Sequence, residues 1–270
     1  MTDAVGVVVP VYDEEEHLDA CLAALVRAAN HPAMAAIPVA IEIVLDSCGD
    51  RSADIATRWQ AAFAGDLGHI AFDGRLGPAP HRLHVVELAA GSVGAARAAG
   101  CAAVLGDVAG IDPARVWLAT TDADSTVPPH WLAHQVALHR AGAQAWAGTV
   151  RVEDWTGQPE AAVRWFARHY RPEPGHDHVH GANFGVNAAA YIAGGGFPDL
   201  SSSEDVAMRD ALLAAGVPVL AGHGAPVVTS ARREARAPAG FAAAIRARPA
   251  PEATSSARPA PEATGSALCA

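Results

Sequence analysis

The chain has 270 residues, 29 acidic and 19 basic, for a formal charge of −10 with histidine neutral, and all 19 basic residues are arginine. The lack of lysine excludes a P-loop nucleotide site, a Schiff-base lysine and a lysine general base, and the acidic balance speaks against nucleic acid as a partner. Cysteines 21, 48, 101 and 269 show no CxxC or CxxH spacing, so reduced thiols are expected rather than a zinc site or a disulfide framework. No apolar stretch reaches the roughly 18 residues of a membrane helix. The N-terminus has no basic segment followed by an apolar run, so no secretory signal is expected and the expected location is cytoplasmic.

Strand and helix patterns alternate along the chain. Val5–Val11 (VGVVVPV) reads as a parallel strand buried on both faces. Glu14–Ala29 has helical apolar spacing and three glutamates in its first turn, which complement the helix dipole. The pattern repeats as strands at Val39–Leu45, Leu83–Leu88 and Val116–Thr121, with helices at Ser52–Ala64, Ser92–Leu105 and after Pro128–Pro129. Beyond these, Gln144–Val152 reads as a strand, Pro159–His169 and Glu204–Ala215 as helices, and Val217–Leu220 as a short strand. Such a βα series predicts an α/β fold with an open, mostly parallel sheet flanked by helices. ARPAPEAT occurs at 247–254 and again at 257–264. This Pro/Ala-rich composition predicts a disordered tail over 238–270 and a folded domain over 1–237. The tail is neutral, so the −10 belongs to the folded part, and fifteen of the 29 acids fall within 13–19, 42–54, 122–124 and 199–210.

In open α/β sheets, ligands bind beyond the carboxyl ends of the strands, and the chemistry-bearing residues lie there. The first strand runs into Pro10-Val11-Tyr12-Asp13-Glu14 with no G-x-G-x-x-G, which speaks against a dinucleotide site of the Rossmann type. Asp13 there reads either as a helix cap or as a ligand contact. The second strand ends in Asp46-Ser47-Cys48-Gly49-Asp50. Asp46 suits a ribose or base edge, and Asp50 suits capping. The fourth strand ends in Asp122-Ala123-Asp124, two carboxylates that repel unless a cation lies between them. Hard oxygen donors in this setting fit Mn²⁺ or Mg²⁺ with bound phosphates. Gly91-Ser92-Val93-Gly94 opens a helix whose amides favour an anion, with Arg97 either reaching a diphosphate or simply exposed. Glu204–Asp205 opens another helix, where carboxylates are favoured in any case; its chemical reading is a general base, with Asp205 over an acceptor hydroxyl.

Taken together, these motifs resemble the family 2 type of glycosyltransferases with the GT-A fold. PVYDEEEHL resembles that family's Pro-x-Tyr-Asn-Glu-Glu, with Asp13 for asparagine; LDSCGDRS its second-strand Asp-Asp-Gly-Ser-x-Asp; GAARAAG its arginine helix; DAD its metal motif; and GANFGVN, GGGFPDL and SSSEDVAM its late region. The resemblance covers about Val5 to Arg236. It implies a non-processive transferase using a UDP-, GDP- or TDP-sugar donor, Mn²⁺ or Mg²⁺, inversion, and an acceptor that is a small molecule, lipid or glycan. No transmembrane segment is expected, though peripheral membrane contact is compatible. Carried over, Pro10, Tyr12, Asp13, Glu14, Asp46, Arg97, Asp122, Ala123, Arg232 and Arg233 would line the donor, in a nucleotide-binding half of about 1–125. Asp124 and Asp122 would hold the metal, Asp124 more directly. Asp205 with Glu204 would be catalytic, and His180, Gly181 and Asn183 would face the acceptor in a half of about 126–237. The late histidine that many GT-A enzymes give to the metal is replaced by Thr229 or Ser230, with His223 several residues earlier. Two other readings follow from the same fold. One is a retaining transferase resembling glucosyl-phosphoglycerate synthases, in which Asp205 is not a base. The other is a catalytically silent binding module.

Overall fold

The computed structural model describes residues 1–64 and 81–232. The predicted tail, Arg233 and Arg236 lie outside the described residues. Strands β1 (Ala4–Val11), β2 (Val39–Asp46), β3 (Arg82–Leu88), β4 (Val116–Thr120), β5 (Ser125–Thr126), β6 (Ala145–Arg151), β7 (Phe184–Asn187) and β8 (Val219–Thr229) form one sheet in the order β3-β2-β1-β4-β7-β6-β8-β5. The first four strands pair in parallel, as their apolar runs predict. β7 runs antiparallel to both β4 and β6, β6 pairs in parallel with β8, and β5 is antiparallel to β8.

The α-helices among the described residues are α1 (Leu18–Ala29), α2 (Ser52–Ala64), α3 (Val93–Asp107), α4 (Trp131–Arg140), α5 (Glu160–His169), α6 (Ala188–Ala193) and α7 (Glu204–Ala214), with 3-10 turns at Pro32–Met34, Pro113–Arg115 and Gly181–Asn183. Alternation along the strands feeds two cores. Val5, Val7 and Val9 of β1 join Ile41 and Ile43 of β2 under α1, α2 and α4. Val8 and Val44 face the opposite way, onto α3, in the core that also holds residues of α6 and α7. Three fully buried tryptophans, Trp117, Trp131 and Trp146, anchor the centre. The buried indole N–H groups of Trp117 and Trp131 donate to Gln135 Oε1 and Asn183 Oδ1, each at 2.7 Å, as buried indoles require.

The sheet order imposes a curvature. β4 and β5 stand four positions apart, which in a flat sheet is about 19 Å at about 4.8 Å per strand. Only five Cα steps join Thr120 to Ser125, about 17 Å even when extended, and a turn closed by Ser125 N–H to Asp122 O at 3.1 Å shortens them further. The second half of the sheet therefore curls back, bringing β5 and β8 over the carboxyl end of β4.

α3 lies unusually close to its neighbours. A Cβ on Gly100 would come within 2.4 Å of Val8 Cγ1, and one on Gly94 within 2.0 Å of Pro198 O. The Gly94 N–H also donates to Leu200 O at 3.0 Å, so the segment leading to α7 is docked directly on the α3 backbone. Gly94→Ala is expected to cost about 1–3 kcal/mol, the usual range for forced overpacking. In thermal denaturation this should lower Tm by several degrees; an unchanged Tm would show that the segment yields freely.

Two local expectations change, and two elements stand where none was predicted. The helix predicted from Glu14 begins one turn later, at Leu18, because residues 14–17 form turns and the Glu14 N–H donates to Ser52 Oγ at 2.8 Å. GANFGVN supplies strand β7, and the following alanines form α6, capped by Asn187, whose Oδ1 accepts from the Ala189 and Ala190 amides. The short strand expected at Val217–Leu220 is instead the eleven-residue β8. A register irregularity opposite Gly148 and Val150 of β6 lets β8 carry glycines and Pro226.

Candidate active site

Beyond the carboxyl ends of β1, β2 and β4 lies a cavity of about 700 Å³, closed by the segment before α7 and by the end of β8. Among the described residues, Asp13 (φ 52°), Ser47 (φ 58°) and Ser203 (φ 61°) are the non-glycine residues with positive φ, and each sits in a loop at this cavity. Strain of this kind persists only where its surroundings enforce it and collects at functional sites.

The loops are pinned by carboxylates. Asp13 Oδ1 accepts the Gly49 amide at 2.6 Å and the Asp50 amide at 3.2 Å. Asp50 accepts the Glu15 amide at 2.8 Å and the Ser52 amide at 2.9 Å, opening α2. Asp46 accepts the amides of Ala90, Gly91 and Ser92 at 2.8, 2.9 and 2.8 Å and the Ser47 hydroxyl at 3.0 Å. Burial pushes its carboxyl up, but the Gly91, Ser92 and Ala90 amides and the Ser47 hydroxyl outweigh this and hold it below the usual range. Asp46 lines the cavity, yet most of its bonding shapes the turn into α3.

At the cavity floor is a buried arginine. Arg97 is 2% exposed, and its guanidinium donates to Glu204 Oε1 and to Asp122 Oδ1. A Cβ on Gly181 would meet Arg97 Nη2 at 2.3 Å, so glycine lets the turn before β7 lie over the pinned guanidinium. A second arginine stands at the rim: Arg232 bonds Glu14 at 2.7 Å and Asp124 Oδ2 at 3.1 Å. Burial raises Asp122 above the ordinary carboxylate range; Arg97 opposes this, and the neighbouring Asp124, Glu204 and Asp205 charges add to it. Because 38% of that side chain opens to the cleft, water relieves part of the burial, and the crowding of carboxylates sustains the direction.

Asp205, the second residue of α7, accepts the Gly181 amide on Oδ2 at 2.7 Å and the Val206 amide on Oδ1 at 2.8 Å. Among the described residues it takes part in no ion pair with an arginine. His180 beside it is pushed down to about 3 by burial, reinforced by His178 and His176, and is therefore neutral. Tyr170 accepts the Val150 amide at 2.8 Å, which leaves its O–H to donate to His180 Nε2 at 3.1 Å.

Residues 6–192, well over half of the chain, match the family described as Glycosyl transferase family 2. The chain belongs to glycosyl transferase family 2. Solved structures agree in fold. The mannosyltransferase PcManGT from Pyrobaculum calidifontis, in complex with GDP-Man and Mn²⁺, aligns with a TM-score of 0.59 and 19% identity over 93% of this chain and 66% of its own. S. aureus TarS 1–349, in complex with UDP-GlcNAc, aligns with a TM-score of 0.57 and 14% identity over 89% of this chain. A mycobacterial protein gives 0.52 and 14% over 85% of this chain and 68% of its own. The chain spans 62% of the TarS chain it matches. No curated protein matches it significantly in sequence. These likenesses give the family 2 chain the GT-A fold.

Among the described residues of this family 2 chain, six carboxylates (Glu14, Asp46, Asp122, Asp124, Glu204 and Asp205) line the cavity against two arginines, Arg97 and Arg232. The donor set suits a divalent cation. Asp122 Oδ2 carries no hydrogen bond or ion pair from the described residues, Asp124 faces the same space, and all the donors are hard oxygens. Thr229 and Ser230 line the cavity at the place of the late histidine, while His223 is exposed and outside it. No histidine of the described residues joins the Asp122–Asp124 pair within ligand distance.

Of the residues singled out from sequence, Pro10, Tyr12, Glu14, Asp46, Arg97, Asp122, Ala123, Asp124, His180, Gly181, Glu204, Asp205 and Arg232 converge on the cavity wall. Asn183 does not. It is fully buried, and its amide is spent on Thr149 O (2.8 Å), Ala225 O (2.9 Å) and the Trp131 indole, so it joins β6, β8 and α4 rather than facing an acceptor. Asp13 pins the 49–50 loop and does not line the wall. Arg97 is not a free diphosphate clamp, being tied to Glu204 and Asp122. Ser92 and Ser201–Ser203 lie within the sequence motifs but carried no role of their own there: Ser92 caps α3, and Ser201–Ser203 line the wall. A run of small hydroxyl residues immediately before a helix was the available signal.

Proposed function

We propose that this protein moves a sugar from a nucleotide-diphosphate donor to a hydroxyl of a small-molecule, lipid or glycan acceptor, with inversion and with Mn²⁺ or Mg²⁺. One observation carries the reading: the cavity's carboxylates divide their work. Glu204 and Asp122 share the buried Arg97, Asp124 faces the rim, and Asp205 holds only backbone amides. The site thus offers one carboxylate set for a cation and a separate carboxylate for a proton. The GDP-Man and Mn²⁺ complex of PcManGT and the UDP-GlcNAc complex of TarS support a nucleotide-sugar donor.

The donor would lie across the ends of β1 and β2, in the half of about 1–125, and the acceptor in the half of about 126–237. Asp124 and Asp122 would hold the cation, whose charge offsets that of the diphosphate. The acceptor oxygen attacks the anomeric carbon and its proton passes to Asp205. The bond from that carbon to the diphosphate oxygen breaks, its electron pair leaves with the phosphate, and the configuration inverts. Arg232, half-buried at the rim and paired with Glu14 and Asp124, would exchange these carboxylates for the diphosphate through its planar fork.

The test is a thermal-shift screen of UDP-, GDP- and TDP-sugars with and without Mn²⁺. A ligand at about 100 times its Kd adds roughly 2.7 kcal/mol to the native state. One nucleotide class should raise Tm only with the cation, and Asp124→Asn should abolish that rise. Should no nucleotide sugar stabilise the protein in either condition, the reading fails.

A further inference from the structure

Away from the active site, at the amino-terminal side of the sheet, a glutamate stands where an apolar residue belongs. Glu42 lies between Ile41 and Ile43 in β2, its side chain is 1% exposed, and among the described residues neither of its oxygens accepts a hydrogen bond of ordinary length, His84 standing just beyond it. A buried carboxylate left unbonded is costly. Burial drives its carboxyl up, with His84 opposing and Asp107 adding to the rise. His84, opposite Glu42 on the edge strand β3, puts Nδ1 3.5 Å from Glu42 Oε1 and 3.4 Å from Asp107 Oδ2 at the end of α3.

These separations exceed the roughly 2.7–3.2 Å of an N–H···O hydrogen bond. They fit something else. Zinc bound to imidazole nitrogen and carboxylate oxygen at about 2.0–2.2 Å has tetrahedral edges of about 3.3–3.6 Å. The three ligand atoms lie within 4.8 Å of one another. His84 and Asp107 are 41% and 29% exposed, which opens a path from solvent and room for water as a fourth ligand. Arg82 stands at the rim, 3.8 Å from Asp107, and its charge favours an ionised Glu42 only weakly, behind that of His84. We propose that Glu42, His84 and Asp107 form a second, structural divalent-cation site of the zinc class, fastening edge strand β3 to β2 and α3. The Asp13, Cys48 and Asp50 group also brings three ligand atoms together, but its aspartates are spent on the amides of the 49–52 loop and of Glu15.

Co²⁺ titration of the EDTA-treated full chain tests this. The parent should bind one equivalent with tetrahedral visible absorption and no thiolate charge-transfer band, and Zn²⁺ should displace it and raise Tm. His84→Ala and Glu42→Gln should each weaken this binding by more than the 10–100-fold that loss of an outer-shell partner brings, while Asp124→Asn and Cys48→Ser should retain it. Glu42→Gln keeps the shape and removes a buried charge, so its metal-free Tm should be no lower than the parent's, and it serves if His84→Ala fails to fold. Parent-like Zn²⁺ affinity in Glu42→Gln, loss of the signal in Asp124→Asn or Cys48→Ser, or no tetrahedral Co²⁺ in the parent would each overturn the proposal.

Discussion

Asp205→Asn should lower turnover by about 10²–10⁴-fold, the usual contribution of a positioned general base, while leaving donor affinity almost unchanged. The substitution is isosteric, and the amide oxygen can keep one of the two backbone contacts, from Gly181 or Val206, that orient the group. What it removes is a carboxylate able to take the acceptor proton. Steady-state transfer rates together with donor-binding isotherms separate the two effects. A variant with near-parent turnover would move the reading to a retaining mechanism, in which the leaving phosphate and not Asp205 handles the proton.

Arg97→Met should cost about 3–5 kcal/mol of stability, a large part of the 5–15 kcal/mol typical of a whole domain. Methionine fills much of the same volume, so the loss is chiefly electrostatic: Glu204, only 4% exposed, would keep a charge with no partner. Replacing both ends, Arg97→Met with Glu204→Gln, should recover most of the loss, because the penalty lies in the unpaired charge rather than in the missing pair. Urea denaturation of the two single variants and the double variant measures this coupling. Additive losses would show that Arg97 acts through packing alone, for instance beneath Gly181 and beside Phe197, whose ring centre lies 6.0 Å from it.

Much of the parallel half was legible because its signals are local. The apolar run of β1 and the helical spacing of α2 fall within two residues of where they were read. Asp122, Asp124 and Asp205 were found because each follows a strand or opens a helix, where topology sends ligands. The antiparallel half was harder. β7 is four residues long, and its glycine and asparagine resemble a loop; β8 carries glycines and a proline that only an irregular register accommodates. The roles of Arg97 and Asn183 rest on partners 107 and 52 residues away, and no local pattern encodes such pairings. Glu42 was visible only as one more acid in a rich stretch; its isolation depends on the burial of β2.

The short link from β4 to β5 carries a further consequence. Because it joins the middle of a curled sheet to its far margin, it behaves like the string of a drawn bow, and Asp122-Ala123-Asp124 is that string. Ala123 is buried in the core while the aspartates face the cleft, so the motif's spacing is a matter of tether length as well as of ligand chemistry. An added residue would slacken the tether and let the margin relax outward; a removed one would break the pairing of Ser125 with Thr229. The distance between the two carboxylates is therefore held by the bend of the whole sheet.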